Sequence, residues 1–139
     1  MIVSATQLTV AVTNLTVGPV TAVVKSSSVS SGTAVQVATV IPAITPSTAS
    51  LTANATSATS ITIKGFGFST TPANNVVTFT NSQGTTFTGT VTASTATQLT
   101  VTLSGLSVRL PAGALDASVN TTIAGLLYTS LTEEVANVP

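Results

Sequence analysis

The stretch Gln98-Leu99-Thr100-Val101-Thr102-Leu103 alternates polar and apolar residues without a break. Successive side chains on a strand point to opposite faces, so Leu99, Val101 and Leu103 share one face and the hydroxyls of Thr100 and Thr102 the other. Such a pattern reads as a strand buried on one side only. The same period of two runs through Ile61-Thr62-Ile63-Lys64, Phe87-Thr88-Gly89-Thr90-Val91-Thr92 and Leu115-Asp116-Ala117-Ser118-Val119, with Lys64 and Asp116 at outward positions. Val, Ile and Thr are restricted at χ1, which lowers helix propensity and suits a pleated surface. No helical period is sustained anywhere. Breaks are expected at Gly18-Pro19, Ser30-Ser31-Gly32, Pro42 to Pro46, Thr71-Pro72, Ser82-Gln83-Gly84 and Pro111 to Gly113. Short strands at that spacing imply an all-β sandwich or barrel. Its core is expected to hold Leu51, Ile61, Ile63, Val77, Phe79, Val91, Leu99, Val101, Leu103, Leu115, Ala117 and Val119.

In Lys64-Gly65-Phe66-Gly67-Phe68 the apolar parity changes from odd, at Ile61 and Ile63, to even, at Phe66 and Phe68. A bulge or kink at glycine is the expected cause. A phosphate-binding loop is rejected, because no helical pattern follows and no Lys-Ser/Thr pair closes the glycines.

The wider composition excludes most chemistry. The 139 residues include 3 Lys or Arg, 3 Asp or Glu, and no His, Cys or Trp, for a net charge of zero. Charged residues make up 4% of the chain, against about a quarter in an average soluble domain. Ser and Thr, about a third of the chain, supply the polarity instead, since hydroxyls stay solvated without ionising. Nucleic-acid binding needs a basic footprint that Lys25, Lys64 and Arg109 do not make. Without His or Cys no nucleophile and base can be paired, and no cofactor is implied. No run of 18 apolar residues occurs, and MIVSATQLTV lacks the features of a signal peptide, so neither membrane insertion nor a visible export signal is expected. The absence of Cys leaves the compartment open.

An internal repeat organises the chain. Ala5-Thr6-Gln7-Leu8-Thr9-Val10 recurs as Ala96-Thr97-Gln98-Leu99-Thr100-Val101, and the match continues through Leu15/Leu106 and Val17/Val108. After a short insertion in the second copy, Gly18, Val20, Ala22 and Val24 answer Gly113, Leu115, Ala117 and Val119. Val37-Ala38-Thr39-Val40-Ile41-Pro42 then answers Val135-Ala136-Asn137-Val138-Pro139. Residues 1–42 therefore read as the C-terminal half of one repeat, with strands near 5–12, 18–24 and 34–40, and residues 43–139 as a complete second one. Half a sandwich leaves its apolar face and strand edges open, so something must complete it.

Ile61-Thr62-Ile63-Lys64-Gly65-Phe66-Gly67-Phe68, Asn74-Asn75-Val76-Val77-Thr78-Phe79 and Ala96-Thr97-Gln98-Leu99-Thr100-Val101, in this order, resemble the IPT/TIG family of immunoglobulin-like domains. The resemblance covers 43–139 and, for its C-terminal half, 1–42. It implies an early-set β sandwich of about seven strands, used as an extracellular or cell-surface spacer or adhesin module in large bacterial surface or secreted proteins. The family's use in some transcription factors depends on basic loops, from which this sequence departs.

Candidate site residues are few. Glu133 and Glu134 are adjacent and point to opposite strand faces, so they make no acid/base pair. The carboxylates Asp116, Glu133 and Glu134 lie too far apart in sequence to supply a calcium site, and Glu133 and Glu134 read as solvated strand-edge charges. Some extracellular sandwiches form a Lys–Asn cross-link beside a buried carboxylate, for which Lys64, Asn137 and Glu133 or Glu134 supply the residue types; outward-facing Lys64 argues against it. The sequons at Asn14, Asn54 and Asn120 number about what chance gives. Of the five aromatics, Phe79 and Phe87 suit the core, and the Leu126-Leu127-Tyr128 run is a partner surface if exposed and a cover for the sandwich end if not.

These readings point to a non-enzymatic extracellular structural repeat, a spacer, stalk or surface-layer segment whose partners are adjacent repeats or copies of itself. A self-assembling fibre subunit, with 1–42 completing a neighbour, is the first alternative; a ligand- or glycan-binding accessory module of a secreted enzyme is the second. With so few titrating groups, stability should barely depend on pH. The melting temperature is expected to move by no more than about a few degrees between about pH 4 and pH 9 at constant salt; scanning calorimetry reads this directly, and a larger shift would contradict it.

Overall fold

A computed structural model describes residues 6–51, 59–104, 106 and 109–139. Ala5, Val108 and the Asn54 sequon lie outside the described residues. The chain divides into two units, Met1–Val40 and Ile41–Pro139. The first contains β1 (Gly18–Ala22), β2 (Lys25–Ser26), β3 (Val29–Ser30) and β4 (Val35–Val40). The second contains β5 (Ala43–Ile44), β6 (Ser60–Phe66), β7 (Asn75–Asn81), β8 (Thr86–Thr95), β9 (Gln98–Leu103), β10 (Gly113–Ile123), β11 (Leu126–Thr129) and β12 (Glu133–Val138), with a 3-10 turn at Pro72–Asn74. The protein is all-β, as the alternation implies.

In the second unit one antiparallel sheet runs β5-β6-β9-β8-β7-β10, and β10 then pairs with β12 along its first half and with β11 along its second. The sheet curls until its inner residues meet, as in a β sandwich. Alternation decides which residues those are: Ile61 and Ile63 of β6 lie opposite Val101 and Leu99 of β9, and Val77 and Phe79 of β7 lie opposite Val119 and Ala117 of β10. All eight are buried. The Phe79 ring stacks on Phe87 at 5.4 Å between centroids. Space for that ring comes from Gly89, where a Cβ would sit 2.6 Å from the Phe79 ring edge.

A curled sheet leaves two edges, and unpaired edges invite foreign strands. Here one short segment serves both. Ala43–Ile44 pairs antiparallel with Gly65–Phe66 of β6, and the Thr45 amide donates to the Lys64 carbonyl at 2.9 Å. The chain then crosses to run parallel to β12: Ser47 N donates to the Glu134 carbonyl (2.8 Å), Asn137 N to the Ala49 carbonyl (3.0 Å) and Leu51 N to the Asn137 carbonyl (2.8 Å). Ile44 and Pro42 are buried. The expected break from Pro42 to Pro46 thus contains a strand and belongs with the second unit.

The loop before β7 is tied down by polar groups. Asn75 is buried, and its Oδ1 accepts from the Ser69 amide (3.0 Å) and from the Thr121 hydroxyl (2.8 Å). Its Nδ2 donates to the carbonyls of Ser69 (2.8 Å) and Thr71 (3.2 Å). One side chain therefore satisfies both polar backbone groups of Ser69 and anchors them to β10.

Ten of the twelve expected core residues are buried, and Leu51 and Val91 are half-buried against the same cluster. Phe87 is half-buried too. The expected change of parity does occur at a glycine, but Phe66 is not part of it. Phe66 keeps the outward phase of Lys64 and is 40% exposed, and the phase changes one residue later, at Gly67 with φ +78°. That left-handed turn, open to glycine at little cost, lets Phe68 fold into the core. Ile44, Leu110, Val135, Ala136 and Val138 join the core as well. Val135 and Ala136 are buried consecutively because a bulge on β12 interrupts the alternation.

In the first unit β1 pairs antiparallel with β4, and β2 with β3. The expected break at Gly18-Pro19 is instead the start of β1, with Pro19 opposite Thr39. The expected strand at 5–12 does not form: within 6–17 only Leu8 makes a bridge. A strand exists only where a neighbour accepts its bonds, and no described ladder runs beside 9–17.

Asn75→Ala is expected to lower stability by about 2 kcal/mol, because it strands the Ser69 carbonyl and leaves the Thr121 hydroxyl without its acceptor, while the Ser69 amide keeps its second acceptor, Thr121 Oγ1 at 3.0 Å. Urea unfolding with an unchanged m-value measures it; a loss under about 0.5 kcal/mol would show that water replaces the side chain at no cost.

Candidate functional site

The bulge on β12 sets the geometry around the carboxylates. Register runs Leu115 to Ala136, then Asp116 to Glu134 and Ala117 to Glu133. Asp116 and Glu134, read from sequence as too distant to act together, are therefore directly opposed on adjacent strands. Glu133 lies opposite inward-facing Ala117. All three carboxylates are half-buried. Nor is β12 a free edge, since 47–51 bonds its far side; this corrects the reading of Glu133 and Glu134 as strand-edge charges. Among the described residues no group of three metal-ligating side chains forms.

Lys64 is exposed on β6, where its backbone pairs with Gln98. Asn137 is half-buried on β12, opposite Ala114, and spends its backbone groups on Ala49 and Leu51. A shallow groove of about 410 Å³ is lined by Lys64, Thr62, Val135 and the Thr45–Ala49 segment. It is not lined by Asn137 or by either glutamate. The structure thus brings Lys64 toward β12 without gathering Lys64, Asn137 and a carboxylate at one place.

The Leu126-Leu127-Tyr128 run forms β11, joined to β10 by a two-residue turn in which Ala124 (φ +50°) and Gly125 (φ +80°) are both left-handed. That turn matches the twist of a hairpin. Leu126 and Leu127 are 57% and 64% exposed. They do not make one patch. Leu127 lies opposite Thr122, and Tyr128, half-buried, lies opposite fully buried Thr121, so neighbours point to opposite faces. The hairpin extends the sheet and leaves Tyr128 half-buried. Below it, Ser130 repairs the gap between β11 and β12: its amide donates to the Val119 carbonyl and its hydroxyl accepts from the Val119 amide, each at 2.9 Å.

Of the sequons, Asn14 is exposed, whereas Asn120 lies within β10 with its Oδ1 buried.

An open apolar groove lies on the first unit. Its volume is about 690 Å³, and it is lined by Leu8, Val10 and Val12 on one side and by Val20 to Lys25 and Val37 on the other. Sequence reasoning identified these as strand residues in want of a cover and did not foresee that 5–12 would stay outside any ladder. Asn75 was quoted only as part of a motif; what marks its role is an amide side chain placed directly before an inward-facing run, Val77 and Phe79.

Comparison with family models, with curated proteins and with solved structures finds no match.

Like charges opposed across a pair destabilise it. Glu134→Lys, which makes the pair with Asp116 attractive, is expected to raise stability by about 0.5 kcal/mol at low salt, and the gain should shrink as salt is added. Thermal unfolding at two ionic strengths checks it; a loss of stability would show that Glu134 has a favourable partner.

Proposed function

We propose that the chain is a non-enzymatic structural repeat of the immunoglobulin-like IPT/TIG kind, serving outside the cell as a spacer or stalk segment in an array of like units. The observation that carries this reading is a shared register. β1 pairs with β4 from Gly18↔Val40 and the register shifts between Val20 and Thr21, where Val37 of β4 is the extra residue; β10 pairs with β12 from Gly113↔Val138 and the register shifts between Leu115 and Asp116, where Val135 of β12 is the extra residue. Gly18 and Gly113 both open their strands with positive φ, at 135° and 121°. Two segments of one chain build the same hairpin with the same irregularity, which is what a repeated unit does.

The mechanism is mechanical. A spacer must hold its length under tension, and resistance depends on how many bonds are loaded together. The 47–51 segment runs parallel to β12, so pulling the start of the second unit away from its end drags these neighbours along each other. The three backbone bonds between them are then strained at once rather than opened in turn. The near-absence of charge and the outward hydroxyls keep adjacent units from repelling one another.

Pulling on concatenated copies of the whole chain in a force microscope is expected to give regular unfolding peaks. Ser47→Pro, which removes the donor to the Glu134 carbonyl, is expected to lower their force. Unfolding without a force peak would overturn the spacer reading. The fibre alternative draws on the open groove of the first unit; light scattering that shows filaments of the purified chain would favour it.

A further inference from the structure

The apolar groove of the first unit has a covered twin in the same chain. Leu8, Val10 and Val12 correspond, at a constant offset of 91 residues, to Leu99, Val101 and Leu103. The first three are 44%, 61% and 58% exposed, and their counterparts are 0% exposed. Across the groove, Val20, Ala22 and Val24 stand in the places of Leu115, Ala117 and Val119, all fully buried. In the second unit that face shares its core with Ile61 and Ile63 of β6 and with Val77 and Phe79 of β7. The strand edges match as well. β9 is bonded by β6 and β8, and β10 by β7, whereas β1 pairs among the described strands only with β4.

We propose that this face is a docking surface for the β6–β8 half of a sister repeat: a segment with the residue pattern of 43–91, joined ahead of Met1 as 43–91 is joined ahead of 92–139. Chain order favours that source over a separate molecule. In a second copy of this chain the 43–91 half is already bonded to its own β9 and β10. Charge permits the fit, since Lys25 is the one charged residue lining the groove and Lys64, at an outward position, is the one charged residue of 43–91. Docking would therefore bring at most one charged side chain, Lys25, against an uncharged face. This partner follows from the array reading proposed above and gives that reading its contact between units.

The test is a chain carrying a copy of residues 43–91 directly ahead of the full 139 residues, which preserves the spacing of the second unit. Amide exchange of Val10 and Ala22 is expected to slow on the order of a hundredfold or more relative to the unextended chain. Val10→Asp should be nearly silent in the unextended chain, where the side chain is exposed, and should erase the gained protection in the extended one. Unchanged fast exchange in the extended chain would overturn the inference. So would an unextended chain that dimerises and protects Val10, because the occupant would then be a second copy of the same face. Either result leaves the spacer reading to stand or fall on the unfolding force of the second unit.

Discussion

Closure of the curled sheet rests on one constraint: the outer sides of β6 and β12 need a partner, and residues 43–51 supply both. Ala43–Ile44 bonds β6, and 47–51 bonds β12. Without this crossing, Ile63 on one side and Val135 on the other would face solvent along an open seam. The groove beside Thr45–Ala49 marks where the crossing leaves the seam imperfectly filled. The same segment brings about the burial of Ile44 and the parallel alignment with β12.

The interior then obeys close packing with few large residues. Phe79 is the largest fully buried side chain, and its ring fits because β8 has glycine at position 89 rather than another β-branched residue. The fully enclosed polar side chains Asn75, Thr121 and Ser130 are each hydrogen-bonded, whereas the half-buried Ser94 Oγ and Asn120 Oδ1 are buried atoms without a partner. Outside, Thr and Ser take the positions that charged residues hold elsewhere. Hydroxyls bond water or a neighbouring strand with equal ease, so such a surface neither repels a similar surface nor demands a charged partner.

What could be read from sequence follows the alternation of side chains. β6, β7, β9 and β10 have an unbroken period of two, and their inward apolar residues were all legible, whereas the buried polar Asn75 and Thr121 were not. The misreadings fall where the backbone leaves that period. The left-handed turn at Gly67 moved the parity change past Phe66. The bulge on β12 buried Val135 and Ala136 side by side and brought Glu134 opposite Asp116, and no local pattern announces a bulge. Prolines at 42 and 46 suggested a linker because proline disfavours a central strand, yet an edge segment can hold it without losing a needed bond. The role of Asn75 depends on Ser69 and Thr121, 52 residues apart in sequence, a contact that only the fold creates.

The clearest limit on local reading is a pair of identical sequences. Thr6-Gln7-Leu8-Thr9-Val10 and Thr97-Gln98-Leu99-Thr100-Val101 are the same, and their intrinsic preference for a strand is the same. The second lies between β6 and β8 with both edges bonded and both apolar residues fully buried. The first makes a single bridge at Leu8 and leaves both residues exposed. Since composition and pattern are held constant, the difference comes from neighbours: 43–91 precedes one copy, and no counterpart of it lies beside the other in the described residues. A strand's preference is thus a preference for fitting a half-buried, bonded surface. It follows that the exposed copy is no weaker as a strand former than the buried one; what differs is the set of strands beside it.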